Sequence, residues 1–260
     1  MYSIEFRART LLYQIPRSTN LTCLLQTSYN SVMKILTWNI GCFFFLKYAK
    51  YLGIKVRGQK IKHEYFQPKL NGNFVSGYIE EMNPEMIFLQ EFYSVQDTRS
   101  IEILKEYPYQ QLLDTWYHEH SILVASKYEF TVSEKNTFSI ISCKDLHIIP
   151  VHLNSFSAAK RLADVLILKE ITKNLSNVVI LGDTNIWSKG EWFCFKNDKK
   201  AYRTITEQLI DFSKNIISTS YIGLGLDKVF GSKNLSVRTI ESPRNRGHHM
   251  DHYPIVIELE

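Results

Sequence analysis

The chain has 260 residues, 45% hydrophobic and 22% charged, the make-up of a globular protein long enough to bury a substantial core. No apolar run approaches the roughly 20 residues that span a bilayer, and a formal net charge of +5 suits a polyanionic partner without requiring one. The four cysteines, Cys23, Cys42, Cys143 and Cys194, are scattered with no Cys-x-x-Cys pair, which argues against a zinc knuckle or a disulfide framework and for a reducing, cytoplasmic compartment.

Residues 1–32 carry Arg7, Arg9 and Arg17 against the single acid Glu5, with many Ser and Thr and no apolar core of signal-peptide length. They read as a flexible extension or an upstream start outside the folded domain, with an acid-poor transit peptide as the alternative. A single domain is expected over 33–260, because no Pro-, Gly- or Ser-rich linker and no short repeat divides it. Short runs rich in Val and Ile predict strands at 34–40, 86–91, 120–126, 146–153, 177–183, 226–231, 235–240 and 253–259. A short helix is expected over 74–82, stopped by Asn83-Pro84. A helical stripe runs from Ala158 to Leu175, and a further helix is expected around 203–217. Pro150 within a strand argues that this strand is near an edge or carries a bulge. The segment 43–73 is irregular: Lys47, Lys50, Lys55, Arg57, Lys60, Lys62 and Lys69 face the lone acid Glu64, interleaved with Tyr48, Tyr51, Tyr65 and Phe66. It is either a basic loop that cradles a phosphate backbone and stacks bases, or a solvated loop packed on the domain.

Several predicted strands end on polar residues with complementary chemistry: Asn39, Glu91, His152, Asp183 with Asn185, and Asp251-His252 just ahead of the last strand. A polar tip on a buried strand is rigidly held at the rim of a sheet. Phosphodiester cleavage needs charge neutralisation on the phosphoryl oxygens, an activated water and help for the departing oxygen. Oxygen donors of this type suit Mg²⁺, with Glu91 the best ligand and Asn39 beside it. Asp183 and Asn185, two apart, share a side if the backbone stays extended. His252 needs a carboxylate to fix its tautomer. Asp251 points away along an extended chain, so Asp227 is the more plausible partner. Singly, each residue has an ordinary explanation as a turn former, a cap, a surface carboxylate or a hydrogen-bonded core histidine; the case is collective.

Thr37-Trp38-Asn39-Ile40, Leu89-Gln90-Glu91, His152-Leu153-Asn154-Ser155, Gly182-Asp183-Thr184-Asn185, Leu226-Asp227-Lys228-Val229-Phe230 and Asp251-His252-Tyr253-Pro254 occur in this order across residues 34–259. In this the chain resembles the endonuclease/exonuclease/phosphatase superfamily, with some likeness to its tyrosyl-DNA phosphodiesterase and deoxyribonuclease branches. The resemblance implies an α/β (α+β) fold, a four-layered sandwich of two mixed sheets packed face to face and flanked by helices. It implies a Mg²⁺ site, with Mn²⁺ as substitute, at Asn39, Glu91 and Asp251. Asp183 would orient or deprotonate the attacking water, and Asn185 would bind phosphate. His252 with Asp227 would be the second acid/base element, and His152 would contact the phosphoryl oxygens or leaving group, with Glu119 as its partner. Arg161 matches the tyrosyl-DNA phosphodiesterase branch and is expected to bind substrate, although that branch carries an acid where Asn154 stands, and Met250 replaces the usual small polar residue. Arg244, Arg246, His248 and His249 form a basic loop beside the site, expected to touch anionic substrate.

Three functions follow as expectations. The first is a Mg²⁺-dependent phosphodiesterase, an in-line hydrolase acting on DNA or RNA. The second keeps the chemistry and takes a phospholipid head group or a phosphorylated small molecule, with Phe43-Phe44-Phe45 serving contact with membrane lipid. The third is a non-catalytic binding module of the same fold. No protein partner is inferable.

Overall fold

The computed structural model describes residues 32–40, 72–92, 101–114, 121–187, 195–216, 218–220, 223–243 and 252–260, with the backbone alone at 55–56, 59–60 and 68–71. All described elements lie within the compact unit Ser31–Glu260. Runs such as Ile35-Leu36 and Val178-Val179-Ile180-Leu181 are sealed on both faces, each residue at 0% exposure. That is why they read as continuous apolar stretches rather than as alternating ones.

They belong to two six-stranded mixed sheets. The first is built from β1 (Met33–Asn39), β4 (Met86–Phe92), β5 (Tyr109–Asp114), β6 (Ser121–Ser126), β13 (Val237–Glu241) and β14 (Ile255–Leu259), ordered β13-β14-β1-β4-β6-β5. The second uses β7 (Thr131–Lys135), β8 (Phe138–Cys143), β9 (Leu146–His152), β10 (Val178–Asp183), β11 (Ile210–Asp211) and β12 (Asp227–Gly231), ordered β11-β12-β10-β9-β8-β7. Each sheet has one parallel pair at its centre, β1 with β4 and β9 with β10, flanked by antiparallel neighbours. A small hairpin, β2 (Lys55–Val56) with β3 (Gln59–Lys60), forms a two-stranded sheet of its own.

Three apolar clusters separate four layers. The central one interleaves Ile35, Met86, Phe88, Val124 and Ile257 of the first sheet with Ile141, Ile148, Val179, Leu181 and Val229 of the second. The outer face of the first sheet packs Leu36, Trp38 and Leu89 under α1 (Pro68–Met82) through Val75, Tyr78 and Ile79. The outer face of the second packs Ile149, Val151 and Ile180 under α2 (Ala158–Thr172) and α3 (Lys196–Thr206). This is the expected α/β sandwich of two mixed sheets with helices outside.

Some local expectations are corrected. Helix α1 begins at Pro68, six residues early, where proline's missing N–H costs nothing in a first turn. The helix expected over 203–217 runs instead over Lys196–Thr206 and gives way to β11. Pro150 is in neither an edge strand nor a bulge, since β9 is flanked on both sides. His147 donates its N–H to Asn177 on the β10 side, so alternation aims position 150 at β8, where pairing has already ended at Ile148. The absent donor meets no ladder there. Strands β5, β7 and β8 escape sequence reading, because mixed polar stretches such as Thr131–Lys135 carry little apolar period.

Candidate active site

Asn39, Glu91, His152 and Asp183 all stand at or just before the C-terminal ends of the two central parallel pairs, one pair from each sheet. Strand β12 runs antiparallel to β10 with Asp227 opposite Asp183, which brings its first residue to the same edge. Strand β14 runs antiparallel to β1 with Ile255 opposite Thr37, so His252, three residues before Ile255, reaches that edge too. Five polar residues from five strands, with His252 from the segment just before β14, thus share one rim, the place where open α/β sheets carry their sites.

Two backbone devices aim them. The β4–β6 register slips between Leu89 and Phe92, and inside this bulge Glu91 takes a left-handed φ of 55°. A bulge re-aims a side chain, and a non-glycine residue in this region is held there at a cost of about 1–3 kcal/mol. Gly182, with φ 124°, lets β10 pass so close to β9 that an added Cβ would stand 2.2 Å from the Val151 carbonyl oxygen. Just beyond, Asn185 also takes a left-handed φ, 50°, and its backbone N–H donates to Asp183 Oδ1 at 2.9 Å. The extended backbone expected across 183–185 is therefore a tight Asx turn.

The geometry centres on Asp183 Oδ2. Asn39 Nδ2 donates to it at 3.0 Å, and also to Glu91 Oε1 at 3.1 Å. His152 Nε2 lies 3.7 Å from the same Asp183 oxygen and 3.5 Å from Glu91 Oε1. His252 Nε2 lies 3.8 Å from it as well, while His252 Nδ1 is 2.8 Å from Asp227 Oδ2. Asn185 Nδ2 donates to the Leu153 carbonyl at 3.0 Å. Asp227, His252 and Asp183 are buried, and Glu91 is partly open to solvent.

Burial pushes the Asp227 carboxyl above the usual carboxylate range; the His252 imidazole opposes that rise and the Asp183 charge adds to it. The pair is thus a buried proton-holding unit with its outer nitrogen facing Asp183. Asp183, Asp227 and His252 also offer ligand atoms within 4.8 Å of one another. The 2.8 Å His252–Asp227 contact already occupies one atom of each, which favours a relay over a metal shell for that trio.

Asn39, Glu91, His152, Asp183, Asn185, Asp227 and His252 are brought together. Arg161 is not free to meet substrate. It is 1% exposed and forks onto Asp198 through Nε and Nη2, both at 2.8 Å, with Nη1 bonded to the carbonyls of Asn154 and Ser155. The carboxylate that claims it is supplied by α3, which local sequence could not pair with it. Glu119, Arg244, Arg246, His248, His249 and Asp251 lie outside the described residues, as does most of 43–73. Two supporting residues were missed: Trp38, whose Nε1 donates to the His252 carbonyl at 3.1 Å, and Thr219, whose hydroxyl accepts the Asp227 N–H at 2.8 Å. Trp38 adjoins Asn39 and could have been suspected; nothing in the sequence marks Thr219.

A family model described as "Endonuclease/Exonuclease/phosphatase family" matches residues 36–249. The chain belongs to this family. Members of the endonuclease/exonuclease/phosphatase family hydrolyse phosphoester bonds, and this protein is an enzyme of that type. Comparison with curated proteins finds no match. Among solved structures, the fold is similar to an AP endonuclease from Archaeoglobus fulgidus, with TM-score 0.64 and 15% identity over 86% of this chain and 98% of that one. It is also similar to the 3′ phosphatase NExo from Neisseria bound to a product DNA hairpin, with TM-score 0.62 and 14% identity over 88% and 99%. A mannosyl-6-phosphatase from Bacteroides thetaiotaomicron follows, with TM-score 0.60 and 15% identity over 88% and 99%. Likeness at these identities speaks for the fold alone.

Proposed function

We propose that the protein is a Mg²⁺-dependent phosphodiesterase acting on nucleic acid. The observation that carries the chemistry is the convergence of Asn39, His152 and His252 on one oxygen of Asp183. Glu91 and Asp183 are held about one shared amide, and two carboxylates so gathered repel each other unless positive charge joins them. The donors are oxygens, as Mg²⁺ prefers, so the residues fit the ion, and Mn²⁺ suits the same set. Asn39, Glu91 and Asp251 would hold it. When bound, it would neutralise charge on a phosphoryl oxygen and lower the pKa of a coordinated water.

The chain's own residues do the rest. Asp183 Oδ2 accepts a proton from the attacking water as the new P–O bond forms and the bond to the leaving oxygen breaks. Its other oxygen is fixed by the Asn185 N–H, so the base is pre-oriented. His252, its tautomer set by Asp227, and His152, at 3.8 and 3.7 Å from Asp183 Oδ2, stabilise charge on the phosphoryl and leaving oxygens. Nucleic acid is favoured as substrate by the net charge of +5 and by the basic stretches 43–73 and 244–249. Of the structural relatives named above, one is an AP endonuclease and another is bound to a product DNA hairpin. The sugar-phosphate reading is kept alive by the mannosyl-6-phosphatase likeness.

The test is a panel of single- and double-stranded DNA, RNA, sphingomyelin vesicles and sugar phosphates, with Mg²⁺ and with chelator. Nucleic acid should be cut with Mg²⁺ and spared after chelation. Asp183→Asn should lose on the order of 10³-fold in rate with an unchanged circular dichroism spectrum. Unchanged turnover in that variant would dismiss the mechanism; sugar phosphate as the preferred substrate would replace the nucleic-acid assignment.

A further inference from the structure

One large side chain stands against the pattern of the fold. Phe156 is 89% exposed, far more than any other large exposed hydrophobic residue among those described. It lies in the loop that leaves β9, four residues past His152, so its Cα is at most about 14 Å from that histidine's. A single exposed aromatic is ordinary. What is not ordinary is how completely this loop is tied down.

Asn154 Oδ1 accepts the N–H of Phe156 at 3.0 Å and that of Ser157 at 2.7 Å, closing an Asx turn around the phenylalanine's own backbone. Ser157 then caps α2 by accepting the Lys160 N–H. Arg161 Nη1 holds the carbonyls of Asn154 and Ser155 from beneath, at 2.7 and 3.2 Å. Arg161 is itself fixed by its buried bidentate pair with Asp198. At the loop's inner end, the Leu153 N–H donates to the Asp183 carbonyl and the Leu153 carbonyl accepts Asn185. An exposed ring on an unconstrained loop loses conformational entropy on stacking; here most of that ordering is done before any ligand arrives. Asp198 belongs to the first turn of α3, next to the half-exposed Phe195, whose ring lies 5.5 Å from that of Trp187 just past Asn185. The buried Arg161–Asp198 pair therefore joins the loop that carries Phe156 to the helix whose N-cap is Phe195.

We infer that Phe156 is a stacking platform for an unpaired base of the nucleic-acid substrate close to the scissile phosphate. The inference rests on the nucleic-acid reading of the site and adds a preference for single-stranded or frayed strands, because a duplex keeps its base faces covered. The ring selects for the presence of a base and not for its identity, since every base offers a π-face.

The experiment compares wild type, Phe156→Ala and Phe156→Trp on two labelled single strands. One bears bases throughout; the other has abasic sites flanking the scissile bond. Wild type is also assayed on bis(p-nitrophenyl) phosphate, which reports the chemistry without a base. Wild type should prefer the base-bearing strand through KM. Phe156→Ala should raise KM for that strand on the order of tenfold and erase the preference, and Phe156→Trp should restore it. An unchanged KM and preference in Phe156→Ala, with wild type cutting both strands, overturns the platform and leaves the nuclease reading standing. Wild type that hydrolyses bis(p-nitrophenyl) phosphate but neither strand overturns the substrate assignment and the platform with it. Weaker binding of Phe156→Ala to sphingomyelin vesicles, with no change in strand KM, overturns it in favour of a lipid contact.

Discussion

At Gly182 a missing side chain sets the distance between two strand ends that carry His152 and Asp183. Gly182→Ala combines a φ of 124° with a 2.2 Å clash onto Val151 backbone, which cannot rotate away. It should cost about 3 kcal/mol or more in urea unfolding and depress activity with it. Asp227→Asn keeps the shape of the His252 contact and loses its charge. The imidazole would be left free to take the wrong tautomer, and turnover should fall on the order of 10²-fold or more with KM little moved. An equal loss in binding and turnover would instead mean that Asp227 shapes the pocket. Asp164 on α2 is outside the site, and burial raises its pKa from 3.8 to about 6. The folded state therefore holds this proton more tightly than the unfolded chain, so its contribution to stability declines as pH rises from about 4 to 6. Asp164→Asn should flatten that decline and stabilise the protein above pH 6 by about 1–2 kcal/mol, after allowance for solvent screening. Thermal melts at pH 4 and pH 7 check this.

Between α2 and α3, the Arg161–Asp198 pair is buried on both sides, at 2% and 0% side-chain exposure. Arg161→Met leaves Asp198 charged and unpaired in the interior and should cost about 3–5 kcal/mol in chemical denaturation. Adding Asp198→Leu should recover much of this, because an apolar pair of similar volume carries no desolvation penalty. A loss below about 1 kcal/mol in the single variant would show that the pair does not brace the helices. The bulge in β4 has a different kind of importance: it turns Glu91 toward Asn39 and His152 where a regular strand would keep the pleat's alternation.

For the molecule as a whole, the two sheets share one central cluster, so the sandwich should unfold as a unit. Ile148→Ala, in that cluster, should cost about 2–5 kcal/mol. Its midpoints by far-ultraviolet dichroism and tryptophan fluorescence should fall together. Separate midpoints would mean that the sheets melt independently. The continuous apolar runs were legible along the chain because strands buried on both faces must be apolar throughout, and the polar tips were legible because they break those runs abruptly. The two-residue strands, the polar edge strands β5 and β7, and the true extent of α3 were not, since their pairing is decided by distant partners. Sequence by itself determined which residues end the central strands, and with them the family of the chain. Tertiary structure alone decided that Arg161 is a brace, that Glu91 and Asn185 adopt left-handed backbone, and that Asp183 is the point on which the other groups converge. Those outcomes depend on registers and close approaches between segments as much as 214 residues apart, as in the Trp38–His252 bond, and no local pattern encodes a distance of that kind.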